Sequence, residues 1–316
     1  MKEVAQALND AQNIIILPHI FPDADAIGSS CAVKEMLKQK GKECKIILDE
    51  KMPVYIEYYL PCEYEVYDEK KAYDADMVLC LDCADTGRLG KRKNILDKAK
   101  KSVSIDHHKT NTNFADINRV DEKAAATAVL VYRLFEFMNM PVNSSAAKNL
   151  YTAIVGDTGN FKYSNVTSET FEIASKLISH DIKHWEISKA VYDTEDLDVI
   201  KLKGELSSRL ELFGDGKICV LAADKNIFSK YNILPEDTDA LVEIPRKVRG
   251  AEVAVSLKEA GGGIKVSIRS ANYVDVSLVA KVFGGGGHAR AAGFMVKDKD
   301  IFEVKNSIVK EILKVI

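Results

Sequence analysis

Histidine and aspartate residues recur directly after short apolar runs of this chain, where they could bind metal ions. Three of the four segments that carry them follow runs typical of strands, at Ile14 to Leu17, Met77 to Leu81 and Val103 to Ile105. Ligands of an open parallel sheet bind beyond the carboxyl ends of its strands, so we expect residues far apart in sequence to converge there. The candidate metal ligands are His19, Asp23, Asp25, Asp82, His107 and Asp157.

The mixture of carboxylate oxygens and imidazole nitrogens indicates which metal and which chemistry to expect. Such donors suit Mn²⁺ or Mg²⁺ better than a soft metal. A pair of these ions activates water and stabilises the entering and leaving oxygens of a displacement at phosphorus. The pattern therefore predicts metal-assisted hydrolysis of a phosphate ester. Each segment alone is also typical of a turn or a helix cap, because aspartate favours both, so the prediction depends on their conjunction.

The triplet Asp106-His107-His108 adds catalytic groups to this set. Two adjacent imidazoles point in different directions, so one could bind metal while the other faces the substrate. Asp106 could accept a hydrogen bond from an imidazole and fix its tautomer, as carboxylates behind metal-bound histidines do. The alternative is a surface histidine pair after a strand. We predict His108, Asp82 and Asp106 as catalytic residues.

A run of four glycines, Gly284 to Gly287, indicates a second binding site near the C-terminus. Glycines permit positive φ and leave backbone N–H groups accessible to an anion. Two arginines close to the run in sequence could clamp a phosphate bidentately. The pattern favours anion binding over a flexible turn. The predicted substrate-binding residues are Arg269, Gly285, Gly286, Gly287, His288 and Arg290.

The elements that must position these residues change in character along the chain. The first half alternates apolar strands with amphipathic helices, which predicts a parallel sheet covered by helices on both faces. Helices follow, and the last is expected to run from about Trp185 to Leu212 as one connector. After it, alternating strands around a triple-glycine turn at 261–263 predict a smaller α+β domain with a mixed or antiparallel sheet.

This order of elements predicts an α/β fold in two domains. An N-terminal parallel-sheet domain would be linked by a helix to a smaller α+β substrate-binding domain. At about 100–200 residues per domain, the 316 residues also suggest two. The predicted boundaries are a catalytic domain at 1–186, a helical linker at 187–212 and a substrate-binding domain at 213–316.

The composition limits the class of protein further. A net charge of −3 argues against a protein that coats long nucleic acid. No apolar stretch approaches the roughly 20 residues of a membrane span, and the N-terminus lacks the pattern of a signal peptide, so we expect a cytoplasmic location. Six dispersed cysteines do not predict a disulfide scaffold. The C-x-x-C spacing of Cys80 and Cys83 leaves zinc or redox chemistry open beside a simpler pair of buried thiols.

Taken together, the motifs resemble those of the DHH phosphoesterase family, named after the triplet that is present here as Asp106-His107-His108. The segment from His19 to Asp25, the stretch Leu-Asp-Cys-Ala-Asp-Thr-Gly-Arg-Leu-Gly around Asp82, and the Gly-Asp-Thr-Gly at 156–159 match the other family motifs. The stretch Gly-Gly-Gly-Gly-His-Ala-Arg-Ala-Ala-Gly at 284–293 resembles the DHH-associated substrate domain. The resemblance covers nearly the whole chain, with Ala24 standing where many relatives have glycine.

The resemblance implies roles for these residues. Two Mn²⁺ ions, with Mg²⁺ as an alternative, would be held by the six candidate ligands, and Asp82 would bridge them. His108 would contact the scissile phosphate. The second domain would grip the substrate through Arg269, Gly286, Gly287 and His288.

The implied activity is in-line attack of a hydroxide, held by the two metals, on a nucleotide phosphate. The resemblance implies short oligoribonucleotides (nanoRNA), linear dinucleotides such as pApA and pGpG, and 3′-phosphoadenosine 5′-phosphate as substrates. Cyclic di-AMP phosphodiesterase is the first alternative, and manganese pyrophosphatase is a second that the glycine-rich motif disfavours. A nucleotide sensor without turnover is the alternative from another class, and phosphate release with Mn²⁺ would discriminate. We expect neither a groove for long nucleic acid nor a membrane partner, and a homodimer is left open.

Overall fold

The computed structural model of the protein describes residues 1–52, 54–235, 238 and 241–316, with the side chain of residue 55 left out. The chain divides into a first unit, Met1–Thr194, and a second unit, Glu195–Ile316. Within the described part of the chain, no helix is long and apolar enough to cross a membrane.

A parallel six-stranded sheet forms the centre of the first unit, with the strand order β3-β2-β1-β4-β5-β6. Its central strands are apolar at successive positions because both faces are covered: Ile14 and Ile16 enter one core, whereas Ile15 and Leu17 enter the other. The strands are β1 (Asn13–Pro18), β2 (Glu43–Leu48), β3 (Glu65–Val66), β4 (Met77–Leu81), β5 (Ser102–Asp106) and β6 (Ile117–Val120).

Helices cover both faces of this sheet, as the alternating sequence pattern predicts. The helices are α1 (Lys2–Asp10), α2 (Ala24–Gln39), α3 (Val54–Tyr59), α4 (Lys93–Asp97), α5 (Thr127–Phe137), α6 (Ser144–Asp157), α7 (Ser168–Ile178) and α8 (His184–Tyr192), with a 3₁₀ segment at Thr86–Arg92. Helices α2 and α6 approach closely at Gly28, where an added Cβ would lie 2.6 Å from the carbonyl oxygen of Asn149. This close packing brings the start of α2 next to the end of α6.

The second unit contains a mixed sheet with the strand order β11-β12-β10-β9-β8-β7, in which β8 and β9 pair in parallel and the other neighbours pair antiparallel. The strands are β7 (Glu211–Phe213), β8 (Ile218–Ala223), β9 (Val253–Ala260), β10 (Gly263–Ser270), β11 (Gly286–His288) and β12 (Ala291–Val296). The helices are α9 (Leu197–Ser208), α10 (Lys225–Lys230), α11 (Glu243–Arg246), α12 (Val276–Val282) and α13 (Ile301–Ile312). The predicted fold class is confirmed.

The prediction of one helix from Trp185 to Leu212 is wrong, since α8 and α9 are separate. The hydroxyl of Thr194 donates to the carbonyl oxygen of Lys189 at the end of α8, and Asp196 adopts an extended conformation immediately before α9. The hydrogen bond of Thr194 competes with the helix, and together with the extended backbone of Asp196 it interrupts a helical periodicity that otherwise continues. The linker at 187–212 as a segment of its own stays a prediction.

Cys31 and Cys62 form a single disulfide, a pairing that the sequence analysis did not predict. The other four cysteines are thiols. Cys80 and Cys83 are buried, and burial raises the pKa of Cys83 to about 12. Among the described residues, the clusters suited to a metal ion do not include either of them. Buried, protonated thiols are therefore the interpretation that the structure supports for this pair.

Candidate metal centre

Three adjacent strands of the first unit, β1, β4 and β5, end at the same edge of the sheet. His19 follows β1, Asp82 follows β4, Asp106 ends β5 and His107 comes next. Parallel strands point the same way, so their carboxyl ends deliver these side chains to one place. Asp82 leaves the sheet in a left-handed conformation with φ of 56°, which turns the chain abruptly after the strand.

The remaining acidic residues come from helix ends. Asp23 caps α2 by accepting hydrogen bonds from the backbone N–H groups of Asp25 and Ala26, and Asp157 is the last residue of α6. A Cβ added to Gly156 would lie 2.6 Å from the Cβ of Ala24, so the end of α6 meets the start of α2. Helix packing therefore adds these aspartates to the side chains at the strand ends.

Asp82 lies between the two imidazoles of the centre. Its Oδ2 is 3.5 Å from Nε2 of His19, and its Oδ1 is 3.6 Å from Nε2 of His107. Nε2 of His19 is also 3.7 Å from Oδ2 of Asp23, and Nε2 of His107 is 3.3 Å from Oδ2 of Asp157 and 4.0 Å from Oδ2 of Asp25. The six predicted ligands thus form two groups: His19 and Asp23 lie at Oδ2 of Asp82, and His107, with Asp25 and Asp157 around it, lies at Oδ1. His108 also forms a candidate metal cluster with Asp82 and His107.

The tautomers of the two histidines suit metal binding. Nδ1 of His19 lies 2.7 Å from the carbonyl oxygen of Ile20, and Nδ1 of His107 lies 3.2 Å from that of Ala124. A hydrogen bond to a carbonyl keeps a proton on Nδ1, so Nε2, which faces the carboxylates, is the nitrogen that would bind metal. The donors are also 3.3 to 4.0 Å apart, close to the separation of about 3 Å expected for neighbouring ligands of one Mn²⁺-sized or Mg²⁺-sized ion. The residues present fit divalent cations.

The N-terminus of α5 orients two of the carboxylates. Oδ2 of Asp25 accepts a hydrogen bond of 2.6 Å from the backbone N–H of Thr127, and its Oδ1 accepts one of 3.0 Å from that of Ala128. The Thr127 hydroxyl donates to Oδ1 of Asp82 at 2.9 Å. The sequence analysis missed Thr127, whose only signal is its position after a run of small residues at the start of a helix.

Asp106 is fully buried and holds His108. Its Oδ1 accepts a hydrogen bond of 2.7 Å from Nδ1 of His108, and its Oδ2 accepts one of the same length from the side chain of Asn111. Nδ1 of His108 is also 3.6 Å from Oδ1 of Asp82. Asp106 therefore fixes the tautomer and the direction of an imidazole that borders the metal centre, and Asn111 is a further positioning residue that the sequence analysis missed.

A left-handed turn follows Asp157. Gly159, Asn160 and Phe161 all have positive φ, between 58° and 62°. The side-chain amide of Asn165 donates to the carbonyl oxygen of Asp157 at 3.0 Å and to that of Ala125 at 2.9 Å. Such conformations cost about 1–2 kcal/mol for each residue other than glycine. The turn and its amide hold the backbone of Asp157 to the segment that leads into α5.

Crowding of the carboxylates displaces the pKa values of the centre. Burial lowers the pKa of His19 and His107, but the neighbouring aspartates outweigh burial and raise each to about 10. Burial, together with the charge of Asp82, raises the pKa of Asp25 well above its usual range. Burial likewise raises the pKa of Asp157 to about 6. A surplus of negative charge that retains protons in this way is the electrostatic condition for binding cations.

The predicted substrate residues lie in the second unit. Ala291 of β12 pairs with His288 of β11 on one side and with Arg269 of β10 on the other, so the three side chains share one face of the sheet. Gly285 precedes β11, and Gly286 and Gly287 lie within it. Arg290 instead donates to the Ser270 hydroxyl and to the carbonyl oxygen of Val274. The structure thus gathers Arg269 and His288 on one face, and the clamp role of Arg290 stays a prediction.

Comparisons with known proteins identify the class. Residues 13–154 match the DHH family, N-terminal domain, and residues 215–316 match the DHHA1 domain. A relative from Thermus thermophilus is 31% identical over 99% of this chain and 93% of its own length. The chain therefore belongs to the DHH family of phosphoesterases, which its motifs resemble.

The names of its relatives are more particular. The Thermus thermophilus relative is a bifunctional oligoribonuclease and PAP phosphatase, NrnA. The protein of the same name from Bacillus subtilis is 28% identical over 94% of each chain. A crystal structure of an exopolyphosphatase-related protein from Bacteroides fragilis matches this fold with a TM-score of 0.90 at 25% identity, covering 98% of this chain and 95% of that one.

Proposed function

We propose that the protein is a metal-dependent phosphoesterase that hydrolyses short oligoribonucleotides and linear dinucleotides and removes a phosphate from 3′-phosphoadenosine 5′-phosphate. The observation that carries this proposal is the arrangement of His19 and His107 on the two oxygens of Asp82. It occurs in a chain that matches relatives named for these two activities over nearly its whole length.

Two divalent ions, Mn²⁺ or Mg²⁺, would be held by the six ligands, and they would activate water and offset the charge of the phosphate. Asp82 would contribute one oxygen to each group of ligands, with Thr127 fixing its orientation. Burial lowers the pKa of His108, but its hydrogen bond to Asp106 and the charge of Asp82 raise it overall. His108, held in direction by Asp106, would present its imidazole to the phosphate, where a hydrogen bond gains strength as negative charge develops.

The second unit would supply recognition of the substrate. Arg269 and His288 flank the small side chain of Ala291 on one face of the sheet, about two strand spacings, or roughly 10 Å, apart. A guanidinium and an imidazole at that separation suit an anionic ligand laid across the sheet. Gly286 and Gly287 would let a phosphate approach the backbone, because no side chain stands in the way.

One assay tests this function. The purified protein with Mn²⁺, and separately with Mg²⁺, is incubated with pApA, pGpG, a five-mer RNA, 3′-phosphoadenosine 5′-phosphate, cyclic di-AMP and pyrophosphate, and the products are resolved by chromatography. We expect mononucleotides from the first three substrates and phosphate from the fourth, and we expect EDTA to abolish both.

Each alternative has its own outcome in the same assay. Turnover of cyclic di-AMP at a rate above that of pApA would establish the cyclic-dinucleotide alternative. Binding of nucleotides without any release of product would establish a sensor and contradict the proposal. A cytoplasmic location stays a prediction. The oligomeric state, which the sequence left open, is measured by light scattering coupled to size-exclusion chromatography.

A further inference from the structure

The guanidinium group of Arg88 adjoins the metal centre beside His19. Its Nη2 lies 3.1 Å from Nδ1 of His19. The same Nδ1 lies 2.7 Å from the carbonyl oxygen of Ile20, a distance that requires the proton to be on Nδ1. Arginine has only donors, so the contact between Arg88 and His19 joins two donors and is not a hydrogen bond. The position of the guanidinium is therefore not explained by an attraction to this ring.

The backbone of Arg88 is nevertheless fixed in place. Oδ1 of Asp85 accepts hydrogen bonds from the N–H groups of Gly87 at 2.7 Å and Arg88 at 3.2 Å. The carbonyl oxygen of Arg88 accepts a hydrogen bond of 2.7 Å from the backbone N–H of Ile20, next to His19. The loop after β4 is thus tied to the loop after β1. This connection fixes the backbone of Arg88, whose side chain is exposed, next to His19.

The charge of Arg88 has no counterion within the part of the chain that the structure describes. Asp85, its neighbour in the loop, directs Oδ1 at backbone N–H groups instead. His108 borders Oδ1 of Asp82, whereas His19, with Arg88 behind it, borders Oδ2. The guanidinium of Arg88 therefore lies on the Nδ1 edge of the His19 ring, and Nε2 of the same ring faces Asp82.

We propose that Arg88 is a substrate-binding residue that donates hydrogen bonds to a non-bridging oxygen of the nucleotide phosphate, at the side of the metal centre formed by His19. The planar guanidinium matches the geometry of phosphate oxygens, and arginine stays charged at every relevant pH. This inference rests on the proposed function, since it assigns a further contact to the same phosphate. It adds a cationic contact from the first unit to those expected from Arg269 and His288.

The test compares the variants Arg88→Gln and Arg88→Lys with the wild-type protein. The control is Lys91→Gln, because Lys91 is exposed in the same 3₁₀ segment and carries the same charge. Calorimetric titrations measure the affinity for inorganic phosphate and for adenosine 5′-monophosphate in the presence of Mn²⁺, and separately the affinity for Mn²⁺. Steady-state kinetics with pApA give KM and kcat.

We expect Arg88→Gln to weaken the binding of phosphate and nucleotide about tenfold to a hundredfold and to raise KM similarly, because charge-assisted hydrogen bonds are lost. The affinity for Mn²⁺ should not change. Arg88→Lys should fall between wild type and Arg88→Gln, and Lys91→Gln should behave as wild type. If thermal melting shows that Arg88→Gln is less stable than the wild-type protein, the phosphate affinity and KM of Arg88→Lys are compared with those of the wild type instead.

Two results would overturn the inference. Unchanged phosphate affinity in Arg88→Gln would remove any role in binding, and a parallel loss of Mn²⁺ affinity would make Arg88 a positioning residue for His19. Failure of the proposed function is distinguishable from these outcomes. A wild-type protein that binds phosphate through Arg88 but hydrolyses none of the substrates would refute the function alone. If the wild-type protein is active and the Arg88 variants keep its phosphate affinity and KM, only the inference is refuted.

Discussion

Asp82 is the residue on which both groups of ligands depend. We predict that Asp82→Asn lowers kcat by about three orders of magnitude or more, as the loss of a central catalytic group does. The fold should be retained, because asparagine also tolerates the left-handed conformation that Asp82 adopts at φ of 56°. Turnover of pApA, calorimetric Mn²⁺ binding and thermal melting measure the three consequences.

A matched control exists for this substitution. Asp215 has a similar backbone conformation, with φ of 53°, but lies in an exposed turn of the second unit. Asp215→Asn should leave both activity and melting temperature unchanged. Retained hydrolysis in Asp82→Asn would show that the two oxygens of Asp82 do not organise the centre.

The histidine ligands predict how metal binding depends on pH. In the metal-free protein, nearby aspartates outweigh burial and raise the pKa of His19 and His107 to about 10, so both rings are protonated at neutral pH. Because the folded-state pKa exceeds the unfolded value of about 6.5, this charge pairing stabilises the metal-free protein fully below pH 6.5. The stabilisation is lost as the pH rises toward 10.

Binding of Mn²⁺ must displace those protons. At pH 7.5 we expect about two protons to be released per protein molecule, one from each imidazole, and Mn²⁺ affinity to increase with pH up to about 10. Titration calorimetry in buffers of different ionisation enthalpy measures the number released. His19→Ala should reduce it by about one, and a heat of binding independent of the buffer would contradict the assignment.

At the scale of elements, the contact between α2 and α6 positions Asp25 and Asp157. A Cβ at Gly28 would lie 2.6 Å from a backbone oxygen of α6. Gly28→Ala should therefore lower the unfolding free energy by about 1–3 kcal/mol, since overpacking exceeds the gain of about 1 kcal/mol in helix propensity. Gly204, in α9, has open space at its Cβ position, so Gly204→Ala should raise stability by about 0.5–1 kcal/mol. Differential scanning calorimetry should show a lower melting temperature for Gly28→Ala and a higher one for Gly204→Ala.

Two neighbouring glycines in the run at 284–287 differ in role, since one is required by the packing of the backbone and the other is available to bind substrate. A Cβ at Gly285 would lie 2.3 Å from the carbonyl oxygen of Gly293, whereas one at Gly286 would meet no atom within 4 Å. Gly285→Ala should destabilise the pairing of β11 with β12. Gly286→Ala should keep its melting temperature yet raise KM about tenfold if a phosphate approaches this backbone. An unchanged KM in Gly286→Ala would remove Gly286 from the substrate site.

At the scale of the whole molecule, each hydrophobic core lies within one unit. The metal centre belongs to the first unit, so Mn²⁺ should stabilise that unit by about 2.7 kcal/mol at a hundred times its dissociation constant. We expect calorimetry to resolve two transitions, of which only one moves when EDTA is added. Phe228 lies in a core of the second unit, so Phe228→Ala should lower the melting temperature of the other transition. A single transition that shifts as a whole would contradict independent units.

Much of the fold could be predicted from sequence because its causes are local. Apolar runs at Ile14 to Leu17 and Met77 to Leu81 are typical of buried parallel strands, and the alternating pattern after residue 213 is typical of a half-exposed sheet. The break between α8 and α9 could not be predicted in this way. It depends on the hydrogen bond from the Thr194 hydroxyl to Lys189 and on the extended backbone of Asp196, which interrupt a helical periodicity that extends across them.

The sequence by itself determined which side chains could bind metal, because residue type and position after a strand are written in it. Only the tertiary structure decided their mutual geometry: that the two oxygens of Asp82 face different imidazoles, that Thr127 and Asn111 orient carboxylates, and that Arg88 lies beside His19. The physical reason is that these distances follow from strand order and helix packing. Both are set by burial summed over the whole chain, which no short segment specifies.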